Sequence, residues 1–142
     1  MQLIIQRVLE AEVTVDEVEI AKIDVGYLVY LCFQPNDTED VIKKAAKKLK
    51  TLKMANKTAI LENESFLFIS NFTLLGKIKG NGISYHNSME KSKAEGFYHL
   101  FLEEIKKLHQ NIQNGQYGSR CKIKSTVYGP FNLIVDFKPT KL

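Results

Sequence analysis

Apolar residues recur along this chain in short blocks, either alternating with polar residues or running together, and β-branched residues are common among them. Such blocks predict β-strands, and a continuous apolar run predicts a strand that is buried on both faces. We predict strands over residues 3–9, 13–15, 18–23, 27–33, 66–73, 121–126 and 131–137, with a weaker one within 52–61. A tight turn is predicted at Asp16 and Glu17, and the run 27–33 is predicted to be a central strand.

Two longer segments have apolar residues at helical spacing. In the first, over about residues 37–51, Asn36 or Asp37 is a candidate N-cap and lysines occupy the face opposite the apolar one. The second helix is predicted from about Met89 to Leu108. The order strands, helix, strands, helix, strands predicts an α/β fold, with mixed β-sheets and two amphipathic helices packed on them. A length of 142 residues predicts a single domain over 1–142.

Charge and cysteine content bear on the partners and the cellular compartment of the protein. A formal charge of +4 permits a nucleic-acid partner without requiring one. The lysines of the first helix are interpreted as a solvated face, whereas the basic, glycine-containing loop at 77–82 could reach a phosphate. Cys32 and Cys121 have no partners at zinc spacing, which predicts reduced thiols. There is no apolar run of about 18 residues, and Arg7 comes too early for a signal peptide, so we expect a cytoplasmic protein without a membrane partner.

Two short segments carry the most information about function. Residues 70–74 (Ser-Asn-Phe-Thr-Leu) place hydroxyl and amide groups at the end of an apolar run. Residues 128–132 (Tyr-Gly-Pro-Phe-Asn) place a Gly-Pro pair between two predicted strands. Proline removes a hydrogen bond from a sheet, so this pair belongs at an edge, a bulge or a turn, and a cis bond there costs only about 0.5–1 kcal/mol. The pair is either an ordinary turn or a means of holding bare carbonyl groups against a ligand.

Neither segment carries an acid or base that works near neutral pH. Both lack Asp, Glu, His and Cys, and the chain has no phosphate loop, dinucleotide fingerprint or nucleophile elbow. His99 and His109 are predicted on the second helix at the surface or the rim of the core, and His86 could face a ligand. Hydroxyl, amide and backbone groups can orient a substrate and stabilise an oxyanion. They suit a reaction whose base or nucleophile comes from outside the protein.

Seen together, these segments resemble the D-aminoacyl-tRNA deacylases over nearly the whole chain. Residues 70–74 stand where the family has Ser-Gln-Phe-Thr-Leu, and residues 128–132 stand at its Gly-Pro motif. Further similar segments are 6–8 (Gln-Arg-Val), 11–15 (Ala-Glu-Val-Thr-Val), 26–29 (Gly-Tyr-Leu-Val), 36–40 (Asn-Asp-Thr-Glu-Asp) and 114–118 (Asn-Gly-Gln-Tyr-Gly). Two motifs in the right order and spacing are far more specific than either alone.

The resemblance implies a homodimer that hydrolyses the ester of D-aminoacyl-tRNA, and of glycyl-tRNA where that is a substrate, with the ribose 2′-hydroxyl assisting the attacking water. It implies a cis Gly129–Pro130 bond whose carbonyl groups enter the partner's pocket and exclude L-residues by steric conflict. The catalytic residues would be Ser70, Asn71, Thr73, Gly129 and Pro130, and the substrate-binding residues would be Phe72, Tyr85, Phe131 and Asn132. Aminoacylated tRNA is the implied partner, and no metal or cofactor is expected.

The chain departs from the family pattern around these motifs. Asn71 replaces a Gln, Asn132 a Thr, Val127 an Asn, and Gly82 an Arg that many members have. Asn71 is one methylene shorter than Gln, Asn132 keeps the polarity of Thr but changes the geometry, Val127 loses a polar contact, and Gly82 removes a positive charge. They leave an alternative open: a diverged paralogue that binds aminoacyl-tRNA or a nucleotide without turnover, or that deacylates a different aminoacyl ester.

Overall fold

The computed structural model describes residues 1–140, which form one mixed sheet, a separate hairpin and two α-helices. In chain order the elements are β1 (Gln2–Val15), β2 (Val18–Ile23), β3 (Gly26–Cys32), α1 (Glu39–Thr51), β4 (Ser65–Ser70), β5 (Lys77–Lys79), β6 (Gly82–Ser84), α2 (Lys91–Leu108), β7 (Ile112–Asn114) and β8 (Lys122–Asp136). Short 3₁₀ helices cover Ala55–Lys57 and Phe72–Leu75. The sheet has the strand order β2-β1-β3-β4-β7, with β8 paired to β1.

The sheet is built around β1. Its first half pairs antiparallel with β3 and its second half with β2, while β8 runs antiparallel along its other edge. The strands β3, β4 and β7 are parallel to one another. The C-terminal ends of these three strands therefore lie at the same edge of the sheet. The predicted fold class, mixed strands with two packed helices, is confirmed.

The two helices cover one face of the sheet and form the larger core with it. Buried side chains of this core are Leu3, Ile5, Val29, Leu31, Phe66 and Phe68 from the strands and Ile42, Leu49, Phe101 and Ile105 from the helices. A smaller cluster on the other face contains Val8, Val13, Leu28, Leu67 and Ile69. Because neighbouring residues of a strand point to opposite faces, Leu28 and Val29 belong to different clusters. The central position predicted for the run 27–33 is confirmed.

Side chains next to the helices cap their N-termini. Thr38 is the N-cap of α1, and its hydroxyl accepts a hydrogen bond from Val41 N at 3.4 Å. The prediction of Asn36 or Asp37 as the cap is therefore wrong. The carboxylate of Asp37 instead accepts from Gln34 N at 2.8 Å in the preceding turn. The N-cap of α2 is Glu90, which accepts from two backbone N–H groups.

Several predicted strand boundaries are wrong. The segments 3–9 and 13–15 are one strand, and 121–126 and 131–137 are also one strand, because β1 and β8 pair with each other across local bulges. No strand forms within 52–61, where a 3₁₀ helix lies instead. The strand predicted over 66–73 ends at Ser70. The polar loop after Gly76 contains the β5–β6 hairpin.

His109 lies at the C-cap of α2 and is almost fully buried. Of the two predicted positions, the surface or the rim of the core, the surface is therefore wrong for this residue. Its Nε2 atom lies 2.7 Å from the backbone oxygen of Glu64, and its Nδ1 atom lies 2.9 Å from Lys50 Nζ. The imidazole therefore joins α2 to the loop before β4. None of the helices among residues 1–140 combines the length and the apolar character needed to cross a membrane.

Candidate active site

A cleft of about 660 Å³ opens where the parallel strands β3 and β4 end. Its floor comes from the last residues of these strands, and its walls come from the start of α2 and from residues 117–121. Tyr98 of α2 fixes this arrangement, because its buried hydroxyl lies 3.2 Å from Phe68 O and 2.9 Å from Gly115 O. The cleft thus lies at the C-terminal edge of a parallel sheet, which is a frequent place for a ligand in α/β proteins.

The first sequence motif lies directly in this cleft. Ser70, Asn71 and Phe72 line it, and Asn71 N donates to Leu31 O at 2.8 Å. Asn71 also caps the 3₁₀ helix that follows, since its Oδ1 atom accepts from Thr73 N at 3.1 Å and from Thr73 Oγ1 at 2.5 Å. The amide oxygen is occupied within the turn. The NH₂ group of Asn71 is therefore the part of the amide that is left to donate to a ligand.

Two aromatic rings form one side of the cleft. Phe72 and Tyr85 meet edge to face with ring centroids 4.9 Å apart, and Phe72 is 58% exposed. The hydroxyl of Ser88 donates to Phe72 O at 3.3 Å and holds the backbone of the turn. An exposed ring supported by a second ring offers a flat surface on which a nucleobase can stack. Thr73 is exposed and supports Asn71 rather than lining the cleft.

The second motif lies outside the cleft of its own chain. Gln6 pairs with Asn132 and Val8 with Val127, so residues 128–131 form a four-residue bulge of β8 opposite one residue of β1. The Gly129–Pro130 peptide bond is cis, and both residues are exposed. The φ angle of Gly129 is +136°, and a Cβ there would lie 2.7 Å from Phe131 N. Only glycine takes this backbone conformation without strain.

The two remaining predicted residues also lie away from the cleft of their own chain. Phe131 turns its ring towards the core, where it meets the Tyr27 ring edge-on with centroids 6.3 Å apart. Asn132 is exposed on β8. His86 is exposed beyond the β5–β6 hairpin, with its Nδ1 atom 2.8 Å from Ser84 Oγ. One chain therefore brings together Ser70, Asn71, Phe72 and Tyr85, with Thr73 behind them, and leaves the Gly-Pro bulge elsewhere.

Sequence reasoning missed a wall of the cleft. Residues 117–121 and Lys91 line it, although none was singled out as a site residue. The available signal was the segment 114–118, which matched the family pattern and contains Gly118 at a φ of +75°. A glycine in a left-handed conformation marks a shaped loop rather than a simple connection. The proximity of the loop 117–121 to α2 could not be inferred from the sequence, because that contact joins residues that are distant along the chain.

The groups that line the cleft offer little acid–base chemistry near neutral pH. Among the described residues that line it there is no Asp, Glu or His. Burial raises the pKa of the Cys32 thiol to about 11, and burial also raises the pKa of the Tyr30 and Tyr117 hydroxyls. Among residues 1–140, the charged side chains that line the cleft are Lys91 and Arg120. Within residues 1–140, no group of three or more His, Cys, Asp or Glu side chains is arranged to hold a metal ion.

A sequence model of one protein family, D-Tyr-tRNA(Tyr) deacylase, matches residues 4–136. This match includes both motifs, the cleft and the Gly-Pro bulge. The chain belongs to the D-Tyr-tRNA(Tyr) deacylase family. The family resemblance drawn from the two motifs is confirmed, and so is the enzyme class that it implies.

Two relatives named D-aminoacyl-tRNA deacylase match along almost their whole length, and a third matches over 68% of its length. The chain is 34% identical to the protein from a Nitratiruptor species, with 97% of this chain and 99% of the relative covered. It is 32% identical to the protein from Fusobacterium nucleatum, with 100% and 99% covered. Human D-aminoacyl-tRNA deacylase 1 is 29% identical, with 94% of this chain and 68% of the human protein covered.

Two solved structures share the fold. A structure described as a c-Myc DNA unwinding element binding protein superimposes with a TM-score of 0.90 at 29% identity, covering 99% of this chain and 100% of the other. A probable eukaryotic D-amino acid tRNA deacylase superimposes with a TM-score of 0.82, covering 96% and 98%. Its 18% identity supports the fold alone.

Proposed function

We propose that this protein hydrolyses the ester that joins a D-amino acid to the 3′-terminal ribose of tRNA. One observation carries the proposal: in a member of the deacylase family, the Ser70–Phe72 motif lines a cleft whose described lining has no carboxylate or imidazole. Ester hydrolysis assisted by the substrate's own 2′-hydroxyl needs no base from the protein. Since the substrate is an intermediate of translation, we place the protein in the cytoplasm.

The cleft has the parts that such a reaction needs. The terminal adenine would stack on Phe72, which Tyr85 supports from the side. The Asn71 NH₂ group would donate to the ester carbonyl as negative charge develops on its oxygen, because the other end of that amide is fixed by Thr73. Ser70 would hold the ribose or the aminoacyl group. The ribose 2′-hydroxyl would take a proton from the attacking water and pass its own proton to the 3′-oxygen, which leaves as a hydroxyl when the ester C–O bond breaks.

The arrangement of the Gly-Pro bulge favours a homodimer with shared sites. Gly129 and Pro130 are exposed on β8, which among the described strands pairs with β1 alone. Large apolar side chains are exposed on the same strand: Val127, Tyr128 and Ile134. A second copy that covered this strand would bury them and could bring the bulge to the partner's cleft. The Gly129 and Pro130 carbonyls would then face the substrate α-carbon and leave no room for an L side chain.

The proposal is tested by comparing D-Tyr-tRNA and L-Tyr-tRNA as substrates of the purified protein. We expect release of D-tyrosine at a rate at least 10²-fold above that of L-tyrosine, because the exclusion is steric. Equal rates for the two substrates, or no hydrolysis of either, would refute the proposal.

A second candidate is a protein that binds the aminoacyl end without turnover. It is favoured by the occupied Oδ1 atom of Asn71, which is held in the turn and is not available to accept a hydrogen bond from a substrate or a water molecule. A stable analogue in which an amide replaces the ester measures binding alone. The second function would be selected by two results: tight binding of this analogue, and D-Tyr-tRNA that stays intact when it is incubated with the protein for a long time.

A further inference from the structure

The charged side chains of the cleft come from two segments that pack together. Tyr117 donates from its hydroxyl to Lys91 O at 3.4 Å. A Cβ at Gly118 would lie 3.6 Å from Lys91 Cε, so the loop passes directly over the lysine side chain. Arg120 follows two residues later and lines the same cleft. The loop therefore brings Arg120 and Lys91 to one wall of the cleft.

These two cations form no ion pair in the described part of the chain. The described lining of the cleft contains no Asp or Glu, and neither Lys91 nor Arg120 forms an ion pair within residues 1–140. The nearest carboxylate in sequence, Glu90, is turned into the helix cap, where it accepts from Ser92 N at 3.0 Å and Lys93 N at 3.1 Å. Burial is the main cause that raises the pKa of the Tyr117 hydroxyl, and Glu90 and Glu95 lie near enough to help raise it, but neither forms an ion pair with Lys91 or Arg120. The wall thus presents two positive charges outside any ion pair, which attract an anionic part of a ligand.

We propose that Lys91 and Arg120 bind the phosphate on the 5′ side of the terminal adenosine. The inference rests on the proposed function. The aminoacyl end of that substrate carries an ammonium group, which the two cations repel, whereas the phosphodiester is the only anion in the terminal nucleotide. A guanidinium binds two phosphate oxygens in parallel, and a lysine adds a point charge. Their position orients the substrate so that the ester lies at the Ser70–Phe72 side of the cleft.

Binding of two stable analogues tests the proposal. The probes are adenosine with D-tyrosine joined to its 3′ carbon through an amide, and the same compound with a 5′-phosphate. Calorimetry measures Kd for each on the wild type, Lys91→Gln, Arg120→Gln and the matched control Lys47→Gln, which changes an exposed lysine of α1. We expect the phosphate to tighten binding about tenfold in the wild type and in the control. In Arg120→Gln and Lys91→Gln the gain in affinity from the phosphate should shrink to about threefold or less.

The salt dependence gives an independent reading of the same contact. For the phosphorylated probe, log Kd should rise less steeply with log salt concentration in each variant than in the wild type, because fewer counterions are exchanged. No gain from the phosphate in the wild type, or an undiminished gain in both variants, would overturn the inference. Its failure is distinct from failure of the proposed function, which is decided separately by hydrolysis of D-Tyr-tRNA.

Discussion

Asn71 has two separable tasks, because the two ends of its amide face different partners. The oxygen holds the turn through Thr73, and the NH₂ group is directed by that contact. Asn71→Asp keeps an oxygen for Thr73 N but loses the donor. We expect the rate of D-Tyr-tRNA hydrolysis in single turnover to fall about 10²-fold, the usual effect of losing an oxyanion donor, with little change in Tm.

Two variants check this assignment. Asn63→Asp makes the same chemical change in an exposed turn before β4, and its activity should equal that of the wild type. Thr73→Val removes one hydrogen bond to the Asn71 oxygen and should have a smaller effect on rate than Asn71→Asp. An Asn71→Asp protein with full activity would show that the amide donor takes no part in the reaction.

The two cysteines of the cleft should differ sharply in reactivity. Burial raises the pKa of Cys32 to about 11, so only about one thiol in a thousand is ionised at pH 8, and its sulfur is buried. Cys121 is only half-buried and lines the cleft wall. Iodoacetamide at pH 8 should therefore modify Cys121 first, as peptide mass spectrometry would show. Cys121→Ser should abolish the fast labelling, and equal labelling of Cys32 would contradict its burial.

At the level of elements, the cap of α2 makes a pH-dependent contribution to stability. Hydrogen bonds from Ser92 N, Ser92 Oγ and Lys93 N hold the pKa of the Glu90 carboxyl below its usual range. A carboxyl whose pKa is lowered on folding stabilises the protein above its unfolded pKa of about 4.3 and loses this contribution as the pH falls through its folded pKa. Glu90→Gln should therefore lower Tm at pH 7, and its difference from the wild type should vanish in acid.

Thermal unfolding followed by circular dichroism between pH 3 and pH 7 measures this effect. Glu103→Gln is the matched control, because Glu103 is exposed on the same helix and lies outside its first turn. That variant should follow the wild-type curve at every pH. If the Tm of Glu90→Gln stayed below that of the wild type by the same amount down to pH 3, the loss of stability would come from cap geometry and not from charge.

The same elements show how far sequence reasoning reaches in this fold. Periodicity located both helices and the central strand, because the burial of their side chains depends on local spacing. The sequence did not predict that residues 122–136 form the single strand β8. Locally the Gly-Pro pair indicates a turn, and the two halves belong to one strand only because both pair with β1 on either side of the bulge. Ser70 and Phe72, singled out from the sequence motif, line the cleft, and their role towards a ligand stays a prediction. Arg120 was not predicted to line the cleft, because its position depends on a loop that packs against a helix distant in sequence.

For the molecule as a whole, the exposed apolar residues of β8 make dimerisation testable. Ile134 is 67% exposed on this strand. If a second copy covers it, Ile134→Lys places a charge in an apolar interface and should convert the dimer to a monomer in sedimentation velocity. Hydrolysis of D-Tyr-tRNA should be lost with the dimer, while the Tm of the monomer stays measurable. Val18→Lys, at an exposed site on β2, should remain dimeric.

A site shared between subunits also predicts complementation between two inactive variants. Gly129→Ala should be inactive, because a Cβ 2.7 Å from Phe131 N forces the bulge to move, and Asn71→Asp is impaired on the other side of the site. In a mixed dimer, one site would receive both defects and the other neither. Half of the dimers in an equal, re-equilibrated mixture are mixed, so activity should recover to about a quarter of the wild-type value. A mixture no more active than its components would mean that each site is built from a single chain.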